Sequence, residues 1–492
     1  MRFGRTSNWI SHFNGLVMVV VVLLSSAMVA NGQNTNTGTN TGTNTGTNTG
    51  TNTGTNNNNN NNSLFQPAGV EIDAQGVLRI RQNDPRVTIA QMRAARQTLP
   101  PKLSRPSKMR MVSLNRLEES LAKKLNDKKA AVDDEMLALA GLTRIEYVFY
   151  FPESRDIVIA GPAEGFARDS TGRTIGIDTG KPTLQLEDLA VALRAYPPMG
   201  DSTNTIGVSI DPTKEGLARM QRVLSAMGGQ YNSPADIPGI VNGLRQSLGL
   251  HTVTIRGVAP TTHFAHVLTE ADYRMKLIGI GLEPPTVPML SYAARLTANQ
   301  TSNNAMIRWY FVPDYQAIAE SENGLAMHMV GQGVKLIGED EMVATDGTRK
   351  STGRATNPAS RDFTTEFTKK FNQIAQTNPI YGQLRNLVDM AIVAAYIQDR
   401  HFYDQANWDL GVLGDESQFR TQRFAAPQQV ETAVSAVTKG RRLITPIGGG
   451  VLIQARQALS SENMLTDEQN LANQQRSAIR VEHLAEGQWW WD

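Results

Sequence analysis

None of the 492 residues is a cysteine. That absence excludes disulfides, thiolate-bound zinc, iron–sulfur clusters and a cysteine nucleophile together. An excess of one charge sign is also lacking, since 48 Lys and Arg face 46 Asp and Glu, so net charge selects no class of partner. No internal repeat occurs outside one low-complexity stretch, which leaves solenoids and propellers without support. Aromatic residues make up only 6%, but 40% of the chain is hydrophobic and 19% charged, an ordinary globular composition. Setting aside the low-complexity stretch and what precedes it, about 430 residues remain, enough for two or three cores.

Residues 1–32 carry Arg2 and Arg5, an apolar run from Leu16 to Leu24, and then the small residues Ser25, Ser26, Ala27, Ala30 and Gly32. This is the three-part layout of a secretory signal peptide, with cleavage expected after Gly32 and Ala30 as second choice. Leu16 to Ala30 is shorter than the about 17–25 residues of a membrane-spanning helix, so no stable transmembrane span is expected. Retention as an uncleaved anchor is the alternative; export of the body follows either way. Residues 33–63 are nearly all Asn, Thr and Gly, with seven consecutive Asn from Asn56. With no apolar side chain to bury, this stretch reads as a disordered, neutral spacer.

The remainder predicts an α+β fold: mixed and antiparallel sheets with packed helices, in at least two subdomains. Residues 64–258 form an N-terminal α/β subdomain. Within it, Ile145 to Phe151 and Asp156 to Ala160 read as a central hairpin around the turn residues from Pro152 to Arg155. Leu186, Leu189, Ala190 and Leu193 give a helix one apolar face, and Asp211-Pro212 starts another helix. Residues 259–400 form a second subdomain: a helix from Thr262 to Ile278, then a four-strand antiparallel meander (Met306–Val312, Tyr315–Ala319, Leu325–Val330, Val334–Ile337) and two long helices, Arg361–Gln376 and Pro379–Arg400. The run Met390 to Ile397 suits a buried helix. Residues 401–492 form a C-terminal region, partly irregular, with a polar helix from Gln454 to Gln475 and a tail, Trp489-Trp490-Trp491-Asp492, expected to dock.

Candidate chemistry is sparse. On the Thr262 helix, His263, His266 and Glu270 stand at i, i+3 and i+7, so two imidazoles and a carboxylate share a side and suit a zinc ion that keeps a water for hydrolysis. The spacing is not His-Glu-x-x-His, and two ordinary histidines on a helix are the competing reading. Asp178-Thr179-Gly180 matches the aspartic-protease triplet, but Lys181-Pro182 follows where a small residue belongs, so a turn is the better account. Ser120-Leu121-Ala122-Lys123 fits Ser-x-x-Lys without its companion motifs. No catalytic residue is assigned, and no cofactor is implied. Charge is uneven: from Arg79 to Lys129 fourteen Lys or Arg face four Asp or Glu. Such a basic arm suits an anionic envelope polymer or an acidic protein rather than nucleic acid, which an exported chain seldom meets; the competing reading is a solvated arm that pairs internally.

Several strings occur together: Gly161-Pro162-Ala163-Glu164-Gly165, Ser209-Ile210-Asp211-Pro212-Thr213, the run from Ala271 to Lys276, Trp309-Tyr310-Phe311-Val312-Pro313 and Gly331-Gln332-Gly333-Val334-Lys335. In these the chain resembles an uncharacterised family of large secreted proteins of planctomycete bacteria, over most of Gly69 to Arg400. The resemblance implies an exported, planctomycete-type protein and transfers no catalytic residue. The expectation is therefore a non-catalytic binding or structural protein of the cell envelope; the alternative is a secreted hydrolase, metal-dependent through His263, His266 and Glu270.

Overall fold

A computed structural model describes residues 69–127, 131–226, 234–296, 305–315, 317–343, 346, 348–351, 357–434 and 448–492. The segments expected to be a signal peptide and a spacer lie outside the described residues, as do Lys128 and Lys129.

Two large sheets, a two-stranded one formed by Phe166–Arg168 and Thr174–Gly176, and packed helices make an α+β fold. The larger sheet has nine strands in the order Val70–Ile72, Val77–Ile80, Gln429–Val430, His251–Arg256, Ile206–Asp211, Gly448–Ile453, Ala305–Asp314, Gly333–Val343 and Arg349–Ser351. The smaller has seven: Met464–Thr466, Ala317–Glu320, Ala326–Val330, Tyr147–Phe151, Asp156–Ala163, Ser107–Ser113 and Trp490–Trp491. Strands from all three sequence segments interleave in the nine-stranded sheet, so the boundaries near 258 and 400 do not separate sheets.

The hairpin expected around Pro152 forms in antiparallel register, Phe149 opposite Val158, near the middle of the smaller sheet. Alternation along its strands divides two cores. Val148, Tyr150, Ile157 and Ile159 face the main cluster, while Phe149, Phe151, Val158 and Ala160 face a second one closed by Ala472 and Val481. The Pro379–Asp399 helix is buried at every position from Ile380 to Ile397, which is why its apolar residues show no single face. No helix among the described residues is long and apolar enough to cross a membrane.

Three expectations are corrected. The four-strand meander does not exist. Ala305–Asp314 pairs along its whole length with Gly333–Val343 on one side and with Gly448–Ile453 on the other. With both edges taken, the Ala317–Glu320 and Ala326–Val330 hairpin joins the other sheet. The helix Arg361–Gln376 breaks at Lys370 into Pro358–Lys369 and Phe371–Thr377. The helix Gln454–Gln475 is replaced by Ala455–Ala458, a strand Met464–Thr466 paired with Ala317–Glu320, and Leu471–Ala478. The tryptophan tail docks as expected, as the edge strand Trp490–Trp491 against Ser107–Ser113.

Candidate functional site

The sequence-derived candidates converge on the His263–Gly279 helix. Thr262 caps it, its hydroxyl accepting from the Ala265 amide at 3.3 Å. Phe264, Leu268, Ala271, Met275 and Ile278 bury it against both a sheet and the Pro379–Asp399 helix, so His266, Thr269, Glu270, Asp272 and Lys276 are buried with them. Each buried polar group then needs a partner inside the fold.

Glu270 finds two arginines. Arg173 donates from Nη2 to both carboxylate oxygens at 2.5 Å, and Arg274, one helical turn on, approaches at 3.5 Å while also binding Glu283 at 2.6 Å. Arg173 donates from Nε to Gln383 Oε1 at 2.8 Å, Gln383 Nε2 meets His263 Nε2 at 3.3 Å, and His263 Nδ1 meets Asp188 Oδ2 at 2.8 Å. One assignment satisfies every contact: His263 carries its proton on Nδ1, donates it to Asp188, and accepts from Gln383 at Nε2. Burial works against a charge on His263, but Asp188 outweighs it and holds the imidazole above its ordinary value. Gly69 makes room for this network. At φ +91° it passes so close that a Cβ would lie 1.7 Å from Arg173 Nη2.

His266 packs its ring on Phe424 at 5.6 Å, beneath a segment tied down by Phe424 N to Thr261 O and Gln422 N to Glu187 Oε1. Burial pushes its pKa down to about 4. Of the three residues proposed as metal ligands, Glu270 is thus held by arginines, His263 by Asp188 and Gln383, and His266 lies against an aromatic ring. Among the described residues no group of three His, Cys, Asp or Glu side chains is placed to hold a metal ion.

A second cluster on the same helix escaped the sequence reading. Lys276 Nζ donates to Asp272 at 2.7 Å, to Ile210 O at 2.9 Å and to Gly449 O at 3.4 Å, which occupies its three protons. Burial lowers the lysine and raises Asp272 to about 6. Asp211, next to Ile210, receives Arg308 at 3.0 Å and Arg349 at 2.9 Å; burial opposes its charge, but these arginines and Lys276 keep its pKa low. His251, driven down to about 3 by burial, lines a cavity beside Lys276 with room for about one water. The i, i+4 spacing of Asp272 and Lys276 was a local signal; the partners from other strands were not. The arginine, lysine and carboxylate pairs of both clusters are made inside the fold and stitch a buried helix in place, while Asp188 Oδ1, Asp272 Oδ1, His251 Nε2 and both His266 ring nitrogens are buried without a hydrogen-bond partner among the described residues.

The other sequence motifs settle into structural roles. The Asp178-Thr179-Gly180 triplet is a turn whose Asp178 and Thr179 amides donate to Glu164 Oε2 at 2.9 and 3.1 Å, while Asp178 pairs with Arg96 at 2.8 Å. Ser120 donates to the Gly487 carbonyl at 3.5 Å.

The basic stretch divides. Arg79 pairs with Asp73 and Glu431, Arg96 with Asp178, Arg116 with Asp156 and Lys124 with Asp133. Arg110 is fully buried; it binds Asp492, four backbone carbonyls and the face of Trp490. Arg81, Arg86, Arg93, Lys102, Arg105 and Lys108 are exposed, and among the described residues none of them is in an ion pair.

Compared with known proteins, the chain matches no curated protein and no solved structure. Residues 208–292, which include the whole His263–Gly279 helix, match a family described as a protein of unknown function (DUF1598).

Proposed function

We propose that this is an exported, non-catalytic protein that holds an acidic polymer at the cell envelope through the basic surface between Arg81 and Lys108. The observation that carries this reading is the set of six exposed cations within one short stretch that, among the described residues, lie in no ion pair. The Pro85–Thr98 helix buries only Thr88 and leaves Val87 and Ile89 44% and 48% exposed. Its Arg86, Ile89 and Arg93 fall at i, i+3 and i+7, one face that joins charge to apolar contact. The signal-like N-terminus and the wider resemblance to secreted planctomycete proteins support export. The pairing of Glu270 with Arg173 and of Asp272 with Lys276 on the His263–Gly279 helix supports a scaffold rather than a catalytic centre.

The test is co-sedimentation of the full chain with lipopolysaccharide, alongside an Arg86→Glu/Arg93→Glu/Lys102→Glu variant that alters only exposed side chains. Binding at low salt is expected to collapse near about 0.5 M salt, where screening is nearly complete, and to weaken at least about tenfold in the variant. A variant that binds like the unaltered chain would sink the proposal; capture of acidic proteins alone would replace the polymer by a protein partner.

A further inference from the structure

Arg385, on the Pro379–Asp399 helix, is only 7% exposed, and among the described residues its guanidinium makes no hydrogen bond and no ion pair. The other buried arginines behave oppositely: Arg110 donates six hydrogen bonds and Arg173 binds Glu270 and Gln383. Arg385 Nε is buried without an acceptor, and because a guanidinium cannot shed its proton to escape burial, that donor calls for an acceptor from outside the described residues.

The surroundings hold this cation in place. The Gly331-Gln332-Gly333 turn lies on its stem: a Cβ at Gly333, where φ is +88°, would sit 3.0 Å from Arg385 Cγ and 3.3 Å from the Tyr315 hydroxyl. On the same turn a second guanidinium is anchored, because Arg144 Nη2 donates to Gly331 O at 2.7 Å while its Nε finds no hydrogen-bond acceptor. The wholly buried carboxylate nearby, Asp389, accepts from the Tyr315 hydroxyl and approaches Arg144 only at 3.8 Å. Asp389, four positions on from Arg385, and more weakly Glu146 attract Arg385 at a distance without a hydrogen bond, and Asp389 Oδ2 has no hydrogen-bond partner among the described residues. Two guanidiniums, each with a buried Nε that no acceptor of the described residues reaches, thus share a single buried carboxylate, and their surplus of donors and of positive charge suits an oxyanion.

We infer that Arg144 and Arg385 form a binding site for a small oxyanion, a phosphate, sulfate or carboxylate group, beside the Gly331-Gln332-Gly333 turn. The site is separate from the exposed basic surface and from the Arg173 network, and its chemistry does not depend on the envelope reading.

The experiment is calorimetric titration of the full chain with inorganic phosphate, sulfate and acetate in turn, at matched ionic strength. Saturable one-to-one binding of at least one is expected, weakened at least about tenfold in Arg385→Met and in Arg144→Gln, and unchanged in the Arg86→Glu/Arg93→Glu/Lys102→Glu variant. Phosphate and sulfate binding without acetate would specify a tetrahedral group; acetate binding would specify a carboxylate. In anion-free buffer Arg385→Met should change the denaturant midpoint little, because burial opposes the guanidinium while Asp389 attracts it. No saturable binding of any of the three overturns the inference, as does full affinity in Arg385→Met. Should that variant fail to fold, full affinity in Arg144→Gln overturns it equally.

Discussion

Arg173 decides the fate of Glu270. Replacing it by methionine leaves a fully buried carboxylate with only the 3.5 Å approach of Arg274, so Arg173→Met is expected to cost about 3–5 kcal/mol in urea unfolding. Removing the charge on the other side as well, in Arg173→Met/Glu270→Gln, should recover much of that loss, because the penalty belongs to the uncompensated charge. His251 makes a pH prediction. Its folded pKa, about 3, lies below the ordinary value of 6.5, so the unfolded chain binds the proton first. Its contribution to stability is complete above pH 6.5 and is lost as pH falls from there towards 3. His251→Leu should therefore flatten the decline in urea midpoint between neutral pH and about pH 4.5, by up to about 1.4 kcal/mol per pH unit. An unchanged slope would place the acid sensitivity elsewhere. At this scale the sequence showed which groups were unusual and hid their partners. The spacing of His263, His266 and Glu270 was readable; that Arg173, ninety-seven positions before Glu270, would claim the carboxylate was not.

Among the elements, the tail makes the clearest case. Trp490–Trp491 covers the edge of the smaller sheet, and Asp492 pairs with buried Arg110 at 2.8 Å. Deleting residues 489–492 removes a backbone ladder, a cation–aromatic contact and a charge partner together. A drop in melting temperature of several degrees is expected, with concentration-dependent light scattering as the Ser107–Ser113 edge opens. A truncated chain that stays monomeric and equally stable would show the tail to be dispensable. The sequence marked the tryptophans as too apolar to stand in water, although nothing local names the strand that receives them. Elements with strong local rules formed where expected: the hairpin around Pro152, the Thr262-capped helix and the buried Met390 run. The meander failed because short turns argue for pairing between neighbours, whereas the edges of Ala305–Asp314 were taken by Gly333–Val343 and by Gly448–Ile453, more than a hundred residues later.

At the scale of the whole molecule, one main hydrophobic core spans the described residues. The main hydrophobic cluster runs from Val70 through Tyr196, Trp309 and Ile392 to Trp489, joining the three segments distinguished in the sequence. Denaturant unfolding of the chain is therefore expected to follow a single transition, with far-ultraviolet and tryptophan signals coincident. Two resolved transitions would reveal units that fold alone. By itself the sequence determined what composition and short-range periodicity govern: cysteine-free chemistry, an α+β class, and a local excess of basic residues. Tertiary structure decided the rest: which of those residues stay free in water and which are consumed as ion pairs, which strands share a sheet, and which buried arginine is left without an acceptor. The physical reason is that propensity and patterning act over a few residues, while burial and charge pairing are settled only when strands and helices far apart in the chain compete for the same edges and partners.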